Sequence, residues 1–251
     1  QYNLGSMYFE GNGVTQSFFE AERLFRLAAE QGNADAQVGL GIIYENGRGV
    51  RKDNIEAVRW YRLAAEQGHA SAQHNLGSMY FAGDGIAQND VEAERLFRLS
   101  AEQGNTNAQV GLGILYENGR GVQQDYAEAL RWYGLSAEQG NGAAQYNLGG
   151  MYYEGDGVAQ NYIEAAKLFR LAAEQGISDA QLNLGIVYSR GDGVQQDNIA
   201  AVMWSSIAVA LGNEHANEII QLLTQSMTSQ DKAQANRLAQ ICMDTNYSEC
   251  G

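Results

Sequence analysis

The chain has no proline, and among its 251 residues only two cysteines, three histidines and sixteen Lys and Arg. Each shortage excludes something. Without proline there is no collagen or polyproline character, and the Pro-plus-Gly signature of disorder fails although glycine reaches 30 residues. Two cysteines do not make a disulfide scaffold. Thirty Asp and Glu against sixteen basic residues leave a net charge of −14. No basic stripe is visible, so nucleic acid and anionic membrane surfaces are poor partners. Apolar runs fall far short of the ~20 residues needed to cross a bilayer, so no direct membrane insertion is expected. No initiator Met or signal-peptide pattern stands at residue 1, and targeting information is expected to lie outside this stretch. What remains is 45% hydrophobic and 10% aromatic content, enough for an ordered core.

The glycines are periodic. Gln1, Gln37, Gln73, Gln109, Gln145 and Gln181 recur every 36 residues, as do Tyr8, Tyr44, Tyr80, Tyr116, Tyr152 and Tyr188. Four glycine positions, beginning at Gly5, Gly11, Gly13 and Gly32, return in all six units and account for 24 of the 30. A period of 72 lies on top: residues 1–36 match 73–108 at 25 of 36 positions but 37–72 at only 19, and Trp60, Trp132 and Trp204 keep the longer step. Duplication of a two-repeat block explains this, and function is expected to alternate with the block.

Each unit reads as two helices. In the second, Ala36, Leu40, Ile43 and Tyr44 mark an apolar face over about Ala34–Asn46, and Gly47 stands where a left-handed C′ residue is favoured. A second helix starts after Asp53, with Asp53 and Glu56 in a capping-box pattern that Ser17/Glu20 and Asp125/Glu128 repeat. Ala57, Trp60, Tyr61, Ala64 and Ala65 form its buried stripe, and Gly68 ends it. The glycine inside the first helix (Gly5, Gly41 and equivalents) costs ~1 kcal/mol relative to Ala, so close approach of a neighbouring helix is expected there.

The pattern A-x-x-x-L-G-x-x-Y-x-x-G-x-G-V…EA…W…AAEQG resembles the Sel-1-like repeat family, a relative of the tetratricopeptide repeat. The resemblance covers residues 1–216, and the 36-residue unit without proline separates the chain from tetratricopeptide repeats of 34. It implies an all-α fold: a right-handed α-solenoid superhelix of antiparallel helix pairs with 36-residue repeats. The repeats run 1–36, 37–72, 73–108, 109–144, 145–180 and 181–216, followed by capping helices and a tail over 217–251. Within the tail, Thr228 and Asp231 start a last helix. By phase residue 1 falls inside a helix, so the first repeat is expected to be truncated at its N-terminus, with a further repeat or cap upstream.

Chemistry-bearing patterns are sparse. The Gly-x-Gly loops follow helices, lack lysine and occur six times, so they read as turns and not phosphate cradles. His69 and His74 stand five apart with no third ligand, and no metal or cofactor is called for. No nucleophile–base constellation appears, which argues against an enzyme. Cys242 and Cys250 either close a short loop as a disulfide or remain free thiols. The family has a cysteine-rich secreted bacterial branch with a disulfide in each repeat. This chain lacks those cysteines, so the penicillin-binding or β-lactamase-like activity of that branch is not carried over.

The variable positions of the first helix carry the functional reading. By analogy with tetratricopeptide arrays this helix lines a concave wall. A stripe at i, i+4, i+7 reads Tyr2, Ser6, Phe9; Val38, Ile42, Glu45; His74, Ser78, Phe81; Val110, Ile114, Glu117; Tyr146, Gly150, Tyr153; Leu182, Ile186, Ser189. Odd repeats offer aromatics around a small residue, even repeats aliphatics and usually an acid. Asn75 and Asn147 lie beside the stripe, able to hydrogen-bond a peptide backbone. The expected function is a non-enzymatic scaffold or adaptor that binds a protein or peptide, with the acids favouring basic segments. The alternatives are a weak hydrolase of cell-wall or β-lactam material, and homotypic assembly through the open N-terminal end. The family implies a bacterial protein, often periplasmic or secreted. Gly39, Gly111 and Gly150, outside the four periodic roles, are the glycines expected to reflect a partner.

Overall fold

The computed structural model describes residues 1–250, and every regular element among them is a helix, fourteen in all. The chain forms two compact units, Gln1–Asp125 and Tyr126–Gly251. The first holds α1 (Tyr2–Glu10), α2 (Phe18–Ala29), α3 (Ala34–Asn46), α4 (Asn54–Glu66), α5 (Ala70–Ala82), α6 (Asp90–Ala101) and α7 (Thr106–Asn118). The second holds α8 (Tyr126–Glu138), α9 (Gly142–Glu154), α10 (Tyr162–Ala173), α11 (Ser178–Arg190), α12 (Asn198–Ala210), α13 (Ala216–Thr224) and α14 (Ser229–Asp244). Within each unit, helices adjacent in sequence pack as antiparallel pairs, and each pair packs on the next.

Local signals set the boundaries. α3 stops at Gly47, whose φ of 66° is left-handed and whose N–H bonds the carbonyl of Ile43. The turn is then closed by the Asp53 N–H on the Tyr44 carbonyl, 2.9 Å away. The Asp53 carboxylate accepts from the N–H groups of Ile55 and Glu56, both at 3.1 Å, and opens α4. The expected capping boxes are half-formed: Ser17 and Asp53 accept as N-caps, but Glu20 and Glu56 turn instead to Arg23 and Arg59, three residues on. A reciprocal box forms at Thr228 and Asp231, which starts α14.

The internal glycines answer to aromatic rings. A Cβ on Gly5 or on Gly39 would stand 2.8 Å from Phe25, and one on Gly41 would stand 2.2 Å from the Tyr61 ring. Gly5, Gly41, Gly77 and Gly149 therefore make room for a ring from the second helix of their own repeats, where a close approach of a neighbouring helix was expected, and Gly185 makes room for Ser205. Gly39 and Gly111 likewise face Phe25 and Phe97, so these two are explained inside the fold and need no partner. Gly150 has open space where its side chain would be.

The repeating glutamine is a buried staple. Gln37 donates to the Ala29 carbonyl at 3.2 Å and accepts from Gln67 at 2.7 Å, tying α2, α3 and α4 together. Gln73 and Gln103 repeat the arrangement in the first unit, and Gln145 and Gln175 in the second. A buried amide held at both ends avoids the cost of an unpaired polar group and fixes the register between repeats.

In the second unit α13 and α14 both pack on α12. Ala239 and Cys242 of α14 join the cluster of Trp204, Ile207 and Phe169. Cys242 and Cys250 are bonded, with Cα atoms 4.6 Å apart. Gly251, the last residue of the expected tail, lies outside the described residues.

Candidate partner-binding surface

The odd-repeat stripe is built on rings already held by the core. In the first unit Tyr2 and Phe9 of α1 stand 5.8 and 6.2 Å from Phe25, and Phe9 also meets Phe18 edge-on at 5.4 Å. His74 of α5 lies 5.8 Å from Phe97. Burial pushes its pKa below the ordinary imidazole range, which favours a neutral ring. In the second unit Tyr146 and Tyr153 of α9 each stand 6.2 Å from Phe169. Tyr2, Phe9, His74, Phe81, Tyr146 and Tyr153 are all half-buried: each is held by neighbouring side chains and keeps part of its surface exposed along the stripe that Ser6, Ser78 and Gly150 share.

The even-repeat residues do not all belong to an open face. Val38 and Val110 are each only 8% exposed, and Val38 packs in the cluster around Tyr61 and Leu76. The helical stripe counted from one helix ignores the neighbouring repeat, which covers these positions. Glu45 accepts from the Tyr61 hydroxyl at 2.6 Å, and Asn75 reaches the same hydroxyl. Burial, then the hydrogen bond to Glu45, pushes the Tyr61 pKa far up. Both polar residues thus serve a buried phenol that needs partners. The 72-residue period follows in part from this: Phe25 and Phe97 need no such partners, and Gly39 and Gly111 stand where Asn75 stands after Tyr61. Asn147 and Glu117 are half-buried.

Residues between the paired glycines of the even repeats are the part that spacing alone missed. Arg120 lies 3.8 Å over the Phe81 ring, pairs with both oxygens of Asp90 at 2.8 and 3.0 Å, and donates to the Phe81 carbonyl at 3.2 Å. Arg48 sits likewise over Phe9 and Phe18, at 5.3 and 5.7 Å. In the second unit Asp192 takes that place, and the aromatic changes with it: the Tyr153 hydroxyl donates to Asp192 at 2.8 Å and accepts from Arg190 at 3.0 Å. Burial, then the bond to Asp192, raises the Tyr153 pKa. A loop residue of one repeat therefore clamps the aromatic anchor of the repeat before it. The visible signal was the alternation of Asn12, Asp84 and Asp156 with Arg48 and Arg120.

The Sel1 repeat profile matches residues 1–33, 34–69, 70–105, 106–141, 142–177 and 178–213. This chain belongs to the Sel1 repeat family. Its Sel1 repeats superpose on the crystal structure of c5321, a protective antigen of uropathogenic Escherichia coli strains with an SLR fold, at a TM-score of 0.93 and 36% identity. The match covers 99% of this chain and 54% of that one, so this Sel1 array spans about half the length of that protein. A Sel1 repeat protein from Oxalobacter formigenes matches at a TM-score of 0.75 and 34% identity, over 87% of this chain and 88% of that one. The immunity protein Pa5087 from Pseudomonas aeruginosa, at 20% identity and a TM-score of 0.52, shares the fold over 89% of this chain and 83% of its own. Sel1-repeat proteins act as protein-interaction scaffolds, and the fold is typically non-catalytic. Among the described residues no group of three or more His, Cys, Asp or Glu side chains is placed to hold a metal ion, and no helix is long and apolar enough to cross a membrane.

Proposed function

We propose that this Sel1 array is an adaptor that holds protein segments against the first helices of its odd repeats. Tyr2 and Phe9, His74 and Phe81, and Tyr146 and Tyr153 are the anchors, each pair flanking Ser6, Ser78 or Gly150. The observation that carries the reading is the half-burial of these rings, five of them against Phe25, Phe97 or Phe169 and Phe81 under Arg120. A ring already held in place and still partly exposed adds contact area without losing side-chain freedom on binding, which is how aromatic anchors supply affinity. The small residue between each pair lets a backbone approach. The net charge of −14 favours basic segments in encounter.

The test is quantitative capture from the native cell with Tyr146→Ala and with Phe81→Ala, each checked for helix content. Loss of a defined set of captured proteins with folding retained supports the reading. An unchanged set from both folded variants overturns the site.

A further inference from the structure

Two glycines inside helices, Gly134 and Gly150, have no steric reason to be there, and Gly134 stands where four other repeats carry arginine. Gly134, in the middle of α8, has nothing within 4 Å of where a Cβ would sit, whereas Gly5, Gly41, Gly77, Gly149 and Gly185 each face another side chain. A mid-helix glycine still costs ~1 kcal/mol relative to Ala. Its equivalents are Arg26, Arg62, Arg98 and Arg170 in four of the other repeats and Ser206 in the sixth. Each of those arginines sends its guanidinium to the tyrosine hydroxyl of the following repeat. Arg26 reaches Tyr44 at 2.5 Å, Arg98 reaches Tyr116 at 2.5 Å, Arg62 reaches Tyr80 at 3.3 Å, and Arg170 bonds Tyr188. Gly134 leaves the matching hydroxyl, that of Tyr152, with no hydrogen-bond partner among the described residues.

The omission opens a groove in the second unit. It holds about 570 Å³ and is lined by Leu130, Gly134, Leu148, Tyr152 and Leu171, with Glu138 and Glu164 at its polar edge. In the first unit Arg62 borders both of two smaller cavities that together match this groove, one of about 370 Å³ lined by Glu66, Tyr80 and Glu92 and one of about 410 Å³ lined by Ile55, Val58 and Ile86, so the arginine divides what Gly134 leaves continuous. The apolar walls suit the stem of a long cationic side chain, and the hydroxyl and carboxylates suit its head. Of the cations on the rim, Lys167 is already paired with Glu164 at 3.2 Å and Arg131 with Glu128 at 3.0 Å. Glu138 has no ion pair among the described residues.

We propose that this groove is a binding pocket for one arginine side chain of a partner polypeptide, which enters between α8 and α10 and places its guanidinium against Tyr152, Glu138 and Glu164. The chain supplies the template for the guest at Arg26, Arg62, Arg98 and Arg170. Guanidinium is favoured over ammonium because its planar fork can serve a hydroxyl and a carboxylate at once. The groove lies on the side of α9 that carries Leu148 and Tyr152, apart from the Tyr146–Tyr153 stripe, so the adaptor reading above stands or falls separately.

Fluorescence anisotropy with a dye-labelled Gly-Ser-Arg-Ser-Gly peptide, and with the same peptide carrying citrulline or alanine in place of arginine, tests the assignment. The arginine peptide is expected to bind about tenfold or more tighter than either control. Gly134→Arg, which restores the side chain that four other repeats carry, should keep the helix content and lose about tenfold in affinity. Tyr152→Phe should weaken binding several-fold, and Arg62→Gly should create a second site of similar strength. Absence of binding, equal binding of the citrulline peptide, or unchanged affinity in folded Gly134→Arg overturns the proposal. If Gly134→Arg does not fold, unchanged affinity in Tyr152→Phe overturns it.

Discussion

Gln175 donates from its side-chain amide to the buried Oε1 of Gln145 across 2.8 Å, and the sixth repeat breaks this pairing. There Leu211 stands where Gln175 would recur, and the Oε1 of Gln181, on a side chain wholly shielded from solvent, has no partner. A buried acceptor left unpaired costs ~1–3 kcal/mol. Leu211→Gln is therefore expected to raise stability by about 1 kcal/mol, because Leu211 is itself 44% exposed and gives up little burial. Urea unfolding of the two proteins measures this; a lower midpoint for the variant contradicts it.

Two glycine-to-alanine changes in helix interiors should move stability in opposite directions. Gly41→Ala places a methyl 2.2 Å from the Tyr61 ring, and the ring is fully buried with nowhere to move. The expected loss is about 1–3 kcal/mol or more. Gly134→Ala meets nothing within 4 Å and gains up to ~1 kcal/mol of helix propensity. Thermal unfolding of both variants gives the comparison in one experiment.

The Tyr61 hydroxyl gives a pH signature at the alkaline end. Its folded-state pKa is raised, first by burial and then by Glu45, so the stabilisation is complete below the unfolded-state value of about 10 and is lost as pH rises above it. Tyr61→Phe should cost about 1–2 kcal/mol near neutrality, because Glu45 loses its donor. The same change should flatten the decline of stability above about pH 10. A variant whose alkaline decline matches the parent would show that Tyr61 titrates freely.

Arg120 and Asp90 give the opposite sign. The guanidinium of Arg120 holds the Asp90 carboxyl below the ordinary carboxylate range. That contribution is present above the unfolded value of about 4 and is lost as pH falls through the folded value. A double-mutant cycle with Arg120→Met and Asp90→Asn should give a coupling of about 1 kcal/mol or less, since about a third of the Arg120 side chain remains exposed. The coupling should shrink in high salt, with Arg120→Met also unseating Phe81. Zero coupling at low salt would remove the clamp from the account.

The helices were readable because their ends are set by local chemistry: Gly47, Gly68, Asp53 and Thr228 each act on backbone groups a few residues away. Repeat spacing added which helices pack together. The stripe was less readable, because the exposure of Val38 depends on residues from the next repeat, and a single-helix count cannot see them. Glu45 and Asn75 looked like partner contacts because the hydroxyl they serve, on Tyr61, comes from another helix. Arg120 was passed over as one residue of a glycine loop, although its alternation with Asp84 marked it.

The central claim, that the odd-repeat stripe is a protein-binding surface, is tested most directly by site-specific photocrosslinking in the native cell. A photoreactive phenylalanine analogue placed at Ser78, at Gly150 or at the exposed control position Glu102 reports what touches each. The account predicts a discrete protein adduct from Ser78 and from Gly150, and none from Glu102. No adduct at either stripe position, or the same adduct from all three, would contradict it.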